Sequence, residues 1–502
     1  MSLHAQLSPE AQERLAAQKR ASTLTSLIIA ILVAALLVVI LLFITMFTEK
    51  QVHPEIIAYQ GDSTSEDEVV TQKVQTQVQR KPSAPSNTAT KVIVSNAASA
   101  VAIPVPEIDV APSNSFGDGN DFGDGWGDGS GSGSGGGGFG NIPAALKKRC
   151  SREDRIERLL SNGGTEQCEA TVVNALHFLK ETQNKKNGSW ANEYQVGMTG
   201  LALLTYLGHC ETAQSAEFGE SVQAAITYLT NVAIKNKGKM ASDFKNKHWC
   251  YEHSIGVYAL GEAYTLCVKS FNENHPQLKE AVQMSGQFLI NNQTDTGGWE
   301  YNYEESSRRG GGDTSIVGWH LQALKACKFT GLDFKNLNSC YKKGLRYMDS
   351  KQASNGAFGY ASATPRKNNA STLAAVGALS FQIWKSSANS NARKAIRYID
   401  ENMKFKWNSP DSDLYGHYYA VQAMINHGGK EWDKYNKLFR DEVLNNQNKD
   451  GSFKVVNSGK KINGVAAAFA GNAGFGKHYR TCLATLMLES YYRFLPGTGS
   501  KN

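Results

Sequence analysis

The chain has 502 residues, 41% of them apolar and 20% charged, with a net charge of +7. These proportions exclude a chain too polar to bury a core. The charge is mild and forms no dense Lys/Arg tract, which argues against nucleic acid as a partner. In chain order, residues 1–23 form a polar N-terminal segment, and Leu24 to Phe47 reads LTSLIIAILVAALLVVILLFITMF, without a charge, Pro or Gly. A bilayer core of about 30 Å needs about 20 helical residues, so residues 24–47 are expected to span a membrane as one helix. A cleaved signal peptide would have a shorter apolar core followed by small residues, whereas this run is followed by Thr48, Glu49 and Lys50. Arg14, Lys19 and Arg20 precede the span, which places the N-terminus in the cytoplasm and the remainder outside.

Residues 48–143 read as a disordered linker, rich first in Ser, Thr, Gln and Pro, then Gly- and Asp-rich at 117–140. Glycine costs the most backbone entropy to order, and no apolar cluster here offsets that cost. Asp118, Asp121, Asp124 and Asp128 do not have the spacing of an EF-hand loop or of a glycine-rich calcium repeat. From 144 to 496 apolar residues recur at helical spacing between turn-forming Gly, Asn and Asp, and 497–502 is a short tail.

The 144–496 region repeats itself. Gln293, Gly297 and Trp299 close one unit; Gln183, Gly188 and Trp190, then Gln352, Gly356 and Phe358, then Gln447, Gly451 and Phe453 close three others. Each follows an apolar helix and precedes a second one: Val196–Leu207, Thr314–Cys327, Thr372–Trp384 and Thr481–Phe494. Two weaker units pair Ile226–Val232 with Ser254–Cys267, and Ala395–Met403 with Tyr418–Asn426. The Gln is expected to bond backbone groups at a neighbouring helix end, and the Gly to take the left-handed turn conformation. A single helical hairpin cannot bury its apolar face, so about six of them must stack, and the simplest closed solution is two concentric rings. The predicted fold is therefore all-α, an (α/α)6-type toroid.

The pattern Phe/Tyr-Leu-x3-Gln-x3-Gly-x-Trp/Phe resembles the QW repeat of the squalene–hopene cyclase and prenyltransferase superfamily, and the likeness extends over most of 144–496. The stretch Leu414 to Tyr419, with Trp432 and Leu488–Pro496, is similar to a bacterial branch whose members often join the ring to a membrane helix by a Gly-rich tether. The resemblance implies an acid motif, Asp-x-Asp-Asp-Thr-Ala, at the start of an inner helix. Here the stretch is Gly310-Gly311-Gly312-Asp313-Thr314-Ser315, which keeps only the last Asp and the Thr. Asp313 is the candidate acid, and a helix N-cap is its plainer role. The zinc ligands of prenyltransferases, an Asp, a Cys and a His, have no matching pattern. The cluster His248, Cys250, His253 is irregularly spaced and lacks a fourth ligand, so no metal and no cofactor are expected. A thioester motif is also missing.

The residues expected to line a ligand site at the concave end of the inner ring are Trp249, His253, Trp299, Tyr301, Tyr303, Asp313, Tyr415 and Tyr419. Glu300, Glu304, Glu305, Asp411 and Asp413 are candidates for the carboxylate pair of a glycan-cleaving toroid, against a role as surface-loop charges. All eight cysteines lie beyond residue 149, and Cys150–Cys168 and Cys327–Cys340 are the candidate disulfides, against buried thiols. The sequence therefore reads as a single-pass membrane protein with an extracytoplasmic ring that binds an unknown ligand or envelope protein without cyclase chemistry. The alternatives are an enzyme acting on an isoprenoid and a protein active on envelope glycans.

Overall fold

The computed structural model describes residues 149–303, 311–456 and 475–493. All of them fall in the second of two compact units, Ile108–Asn502. The expected membrane span, the linker and the tail lie outside the described residues. Among the described residues no helix is long and apolar enough to cross a membrane.

Thirteen helices are described, with two isolated β-bridges and no strand among the described residues. They are α1 (Arg152–Ser161), α2 (Glu166–Thr182), α3 (Gln195–Gly208), α4 (Gly219–Lys235), α5 (Trp249–Ala263) and α6 (Leu278–Asn291). There follow α7 (Thr314–Thr330), α8 (Leu337–Asp349), α9 (Ala370–Trp384), α10 (Ser390–Asn402), α11 (Leu414–His427), α12 (Gly429–Leu444) and α13 (Gly476–Arg493).

The helices divide by burial. On α10 the buried residues are Ala392, Ala395, Ile396 and Ile399, one stripe at helical spacing that leaves the opposite face to water. On α3 every residue from Val196 to Gly208 is buried, and on α13 every residue but Lys477 is. A helix buried all round belongs to an interior. The largely buried set α3, α5, α7, α9, α11 and α13 packs in sequence order, and α13 packs back on α3, so the inner ring closes. The even-numbered helices α2 to α12 pack outside it, and α12 reaches α2. The expected double ring is what these contacts describe.

The repeat residues join one outer helix to the next. Gln293 Nε2 donates to Gly297 O at 2.9 Å within its own turn and to Cys340 O of α8 at 2.9 Å. Gln183 reaches Ser221 O of α4, Gln352 reaches Asn391 O of α10, and Gln447 reaches Thr171 O of α2. That last bond crosses from the end of the domain to its beginning. The turn glycines Gly188, Gly297, Gly356 and Gly451 have φ between +81° and +93°. A Cβ on Gly451 would lie 2.0 Å from Asn174 O of α2, so conformation and space both require glycine there. The Trp indoles donate to the last turn of their own outer helix, Trp190 to Leu179 O and Trp299 to Leu289 O. Trp407 plays the aromatic part in one of the weak units, its indole donating to Lys454 O and its backbone N–H to Glu442 of α12.

The expected disulfides need correction. Cys150 pairs with Cys210, at a Cα–Cα distance of 5.0 Å, and not with Cys168. The Cys168 thiol sits in the first turn of α2 against Thr165 and is used there. Cys327 and Cys340 are buried free thiols. The Cys150–Cys210 bond ties the segment before α1 to the loop after α3.

Candidate functional site

The inner helices begin at one rim of the ring, and the candidate site lies there. Asp313 is the N-cap of α7 in extended backbone geometry, and its Oδ1 accepts from Ser315 N at 2.8 Å and from Ser315 Oγ at 2.6 Å. The neighbouring repeats hold it in place. Its backbone N–H donates to Trp299 O, Thr314 N donates to Tyr360 O, and Thr314 Oγ1 donates to Gly359 O. Asp313 is completely buried, and burial is the largest influence on its carboxyl, raising its pKa above the ordinary value; Ser315, Tyr360 and Tyr301 offset part of that. Oδ2 has no partner of good hydrogen-bond geometry, and the two tyrosine hydroxyls act on it more loosely.

Above this carboxyl lies a cluster of half-buried hydroxyls. Tyr251 OH bonds Ser315 Oγ at 2.8 Å and Tyr301 OH at 3.3 Å, and Tyr301 OH bonds Tyr360 OH. Tyr415 OH donates to Ser315 O at 3.0 Å. Burial raises all four phenols, Tyr301 to about 12, so each is a neutral donor and acceptor near pH 7. The rim outside them is cationic. Lys247 Nζ lies 6.0 Å from the Tyr301 ring centroid and the Arg366 guanidinium 5.8 Å from that of Tyr360, while His248 meets Tyr301 edge-on.

The other expected lining residues are placed elsewhere. Trp249, His253 and Tyr303 pack with Phe288 in an aromatic knot between α5, α6 and the 301–303 turn. Tyr303 OH bonds His320 Nε2 at 2.8 Å, and Trp299 lies on His320. Burial depresses His253 and His320 to about 3, so both are neutral imidazoles in the core. Tyr419 is fully buried against Trp319, Tyr415 and Tyr418. Of the expected lining residues, Tyr301, Asp313 and Tyr415 come together with Tyr251, Ser315 and Tyr360, which are not in that expected set. Repeat register carries a signal for the central pair: Tyr301 follows Trp299 by two positions, as Tyr360 follows Phe358.

The glycan-type carboxylate pair is not assembled by the described residues. Asp413 is buried at the start of α11, accepting from Thr372 Oγ1 at 2.6 Å, and burial lifts it to about 6. Asp411 is only partly buried, Glu300 is buried, and Glu304 and Glu305 lie outside the described residues. His248, Cys250 and His253 do not converge either: the Cys250 thiol turns to Lys247 O, and His253 Nδ1 accepts from Met240 N.

The centre of the inner ring is occupied by its own side chains. Trp319 stacks on Tyr418 at 5.2 Å, Tyr418 OH donates to Gln322, and Arg493 bonds Tyr258 and Glu262. Two clefts described, of about 710 and 560 Å³, lie off this centre; Lys185, Lys186 and Tyr228 help line the larger, and Trp407 and Asn408 the smaller.

Solved structures similar to this chain include type II terpene cyclase MstE from Scytonema. One, an arginine-to-alanine variant in complex with geranylgeranyl dihydroxybenzoate, is 12% identical, with a TM-score of 0.43 over 65% of this chain and 97% of that one. An aspartate-to-alanine variant with merosterolic acid A is 14% identical, with a TM-score of 0.43 over the same shares, and the apo enzyme is 12% identical at 0.41 over 65% and 98%. No family model and no curated protein matches the chain. At these identities and scores no residue role passes from those enzymes to this chain, and the ring closure rests on the contacts described above.

Proposed function

We propose that the chain is a membrane-anchored, extracytoplasmic ring that binds a polar, hydroxyl-bearing ligand at the Tyr251–Tyr301–Tyr360 mouth, without carbocation chemistry. The observation that carries this is the packing of Gly312. A Cβ there would lie 2.9 Å from Gly298 Cα and 2.9 Å from the Tyr347 ring, so an acidic side chain has no room beside Asp313. Protonating an alkene needs a strong acid kept undissociated by its neighbours. Burial raises the Asp313 carboxyl above its ordinary value, which favours the protonated form but also makes it a weaker acid. Half-buried tyrosines, by contrast, offer an apolar ring face and a hydroxyl together, which suits a ligand with C–H faces and hydroxyls, such as an envelope glycan. The anchor reading rests on residues 24–47, and an oxidising compartment agrees with the Cys150–Cys210 disulfide.

The test is calorimetry of the full chain in detergent against soluble envelope oligosaccharides, beside turnover assays with squalene and prenyl diphosphates. Saturable oligosaccharide binding that Tyr301→Phe weakens, with no turnover, is the expected outcome; cyclised or prenylated product would refute it.

A second reading is favoured by one observation, the full burial of the Asp313 carboxyl with its raised pKa beside Tyr301 and Tyr360. On that reading Asp313 donates a proton to an isoprenoid. Asp313→Asn then abolishes turnover while leaving the circular dichroism spectrum unchanged, and unaltered turnover removes Asp313 from any such role.

A further inference from the structure

At the opposite rim, where the inner helices end, α5 does not stop in an ordinary α-helical turn. It runs on as a π-helical turn, Tyr264–Ser270, which carries Cys267. Such turns are uncommon and concentrate at functional sites. The chain then reverses through a loop whose Asn272 and Gln277 both have positive φ, +55° and +61°. Non-glycine residues hold that conformation only where their surroundings impose it. The loop brings Glu273 and His275 back over Cys267. Glu273 N donates to Cys267 O at 2.9 Å, Glu273 Oε2 lies 2.7 Å from His275 Nε2, and Gln214 N from the α3–α4 loop donates to Glu273 Oε1 at 3.2 Å.

The thiol sulfur, a carboxylate oxygen and an imidazole nitrogen all lie within 4.8 Å of one another, and all three residues are buried. His275 Nδ1 is also buried and has no hydrogen-bond partner, so one lone pair or N–H of the cluster is unsatisfied. A buried polar atom left unpaired costs free energy comparable to a lost hydrogen bond.

We propose that Cys267, Glu273 and His275 form a zinc site that closes the α5–α6 loop onto the π-helical turn, with Glu273 also held by Gln214 N of the α3–α4 loop. Zinc takes sulfur at about 2.3 Å, imidazole nitrogen at about 2.0–2.1 Å and carboxylate oxygen at about 2.0–2.2 Å, in a tetrahedron. Donors so placed stand roughly 3–4 Å apart, so the longest separation must close by about an ångström while the 2.7 Å Glu273–His275 contact opens slightly as the metal replaces its proton. The mixture of one soft thiolate, one imidazole and one carboxylate selects zinc over magnesium or calcium, which prefer all-oxygen shells. On binding, the Cys267 thiol loses its proton to solvent as the Zn–S bond forms, and water completes the fourth position. The three residues and the fold around them use none of the groups at the Asp313 rim, so this assignment stands apart from the ligand reading.

The experiment uses the full chain in detergent. Elemental analysis of freshly purified protein is expected to give one zinc per chain. After chelator treatment, cobalt titration should saturate at one equivalent, with the near-ultraviolet thiolate-to-cobalt band and the visible bands of a tetrahedral ion. Cys267→Ala should lose the thiolate band, and Glu273→Gln, which keeps the side-chain shape, should lower zinc affinity at least about 10-fold with the helical spectrum retained. Stripped wild-type protein that takes up no stoichiometric cobalt overturns the proposal. So does a thiolate band that survives Cys267→Ala. Should that variant fail to fold, the wild-type titration and Glu273→Gln decide alone.

Discussion

The two rims of the ring are built from the same six inner helices and have opposite chemistry. Where the helices start, neutral groups cluster inside a cationic edge of Lys247 and Arg366: phenols, Ser315 and a carboxyl that burial pushes toward its protonated form. Where they end, the groups are charged and cross-linked. Arg149 pairs with Glu262 at 2.9 Å, and Arg493 with the same carboxylate at 2.6 Å, all three nearly inaccessible. Burial alone would raise Glu262, but Arg493 and Arg149 outweigh it and hold the group below its ordinary range. Beside them His209 bridges Glu169 and Glu211, Arg155 joins Glu169, and Cys150–Cys210 closes covalently over the same loop. One rim is cross-linked by ion pairs and a disulfide, and the other carries a network of tyrosine and serine hydroxyls. The difference teaches that the groups closing the ring and those of the proposed ligand site are separable.

Substitutions at the two rims can break that contrast. The largest effect is expected from Arg493→Leu, which leaves Glu262 with a single cation and Glu489 without its salt-bridge partner. Stripping one member from a buried ion cluster costs about 3–5 kcal/mol, and urea unfolding followed by circular dichroism should show it. Next comes the Cys150→Ser, Cys210→Ser pair, whose bond spans a sequence separation of 60; its loss should cost about 2–4 kcal/mol, seen as a lower urea midpoint.

A smaller, pH-dependent effect belongs to His209. Burial lowers its pKa, yet the bonds to Glu169 and Glu211 outweigh that and raise it above 6.5, while both carboxyls fall below 4.5. The raised imidazole contributes stability that is full below 6.5 and is lost as pH climbs through its folded pKa. The depressed carboxyls contribute stability that is full above 4.5 and is lost as pH drops through theirs. The cluster therefore stabilises most between those limits. His209→Gln should flatten the melting temperature across that window, and an unchanged profile would reject the assignment.

The smallest stability change is expected at the other rim. Tyr360→Phe removes one half-exposed hydroxyl and should cost no more than about 1 kcal/mol, while ligand affinity falls. If it destabilised the ring as much as loss of the disulfide, the division between the rims would fail.

The sequence made the repeat legible because its parts are local. Gln293, Gly297 and Trp299 lie within one turn, and the inner helix that follows is rich in small and apolar residues. The partners of those residues were not legible, since Cys340 O and Thr171 O are carbonyls set by the fold. Asp313 was found with its N-cap role, but Tyr251 and Tyr360 reach it from other units. The Cys150–Cys210 pairing is not legible because the two lie 60 positions apart and only the fold brings them together. Cys267, Glu273 and His275 are not legible as a cluster because only the π-helical turn and two left-handed residues bring them together.

The Gln447–Thr171 bond joins residues 276 positions apart. On a ribosome adding about 5–20 residues per second, the first outer helix waits on the order of tens of seconds before its last neighbour is synthesised. Throughout that interval its apolar stripe is open to other chains. A circle also has no privileged starting point, so moving the termini to another outer-helix turn should still yield the same architecture while changing which hairpin must wait.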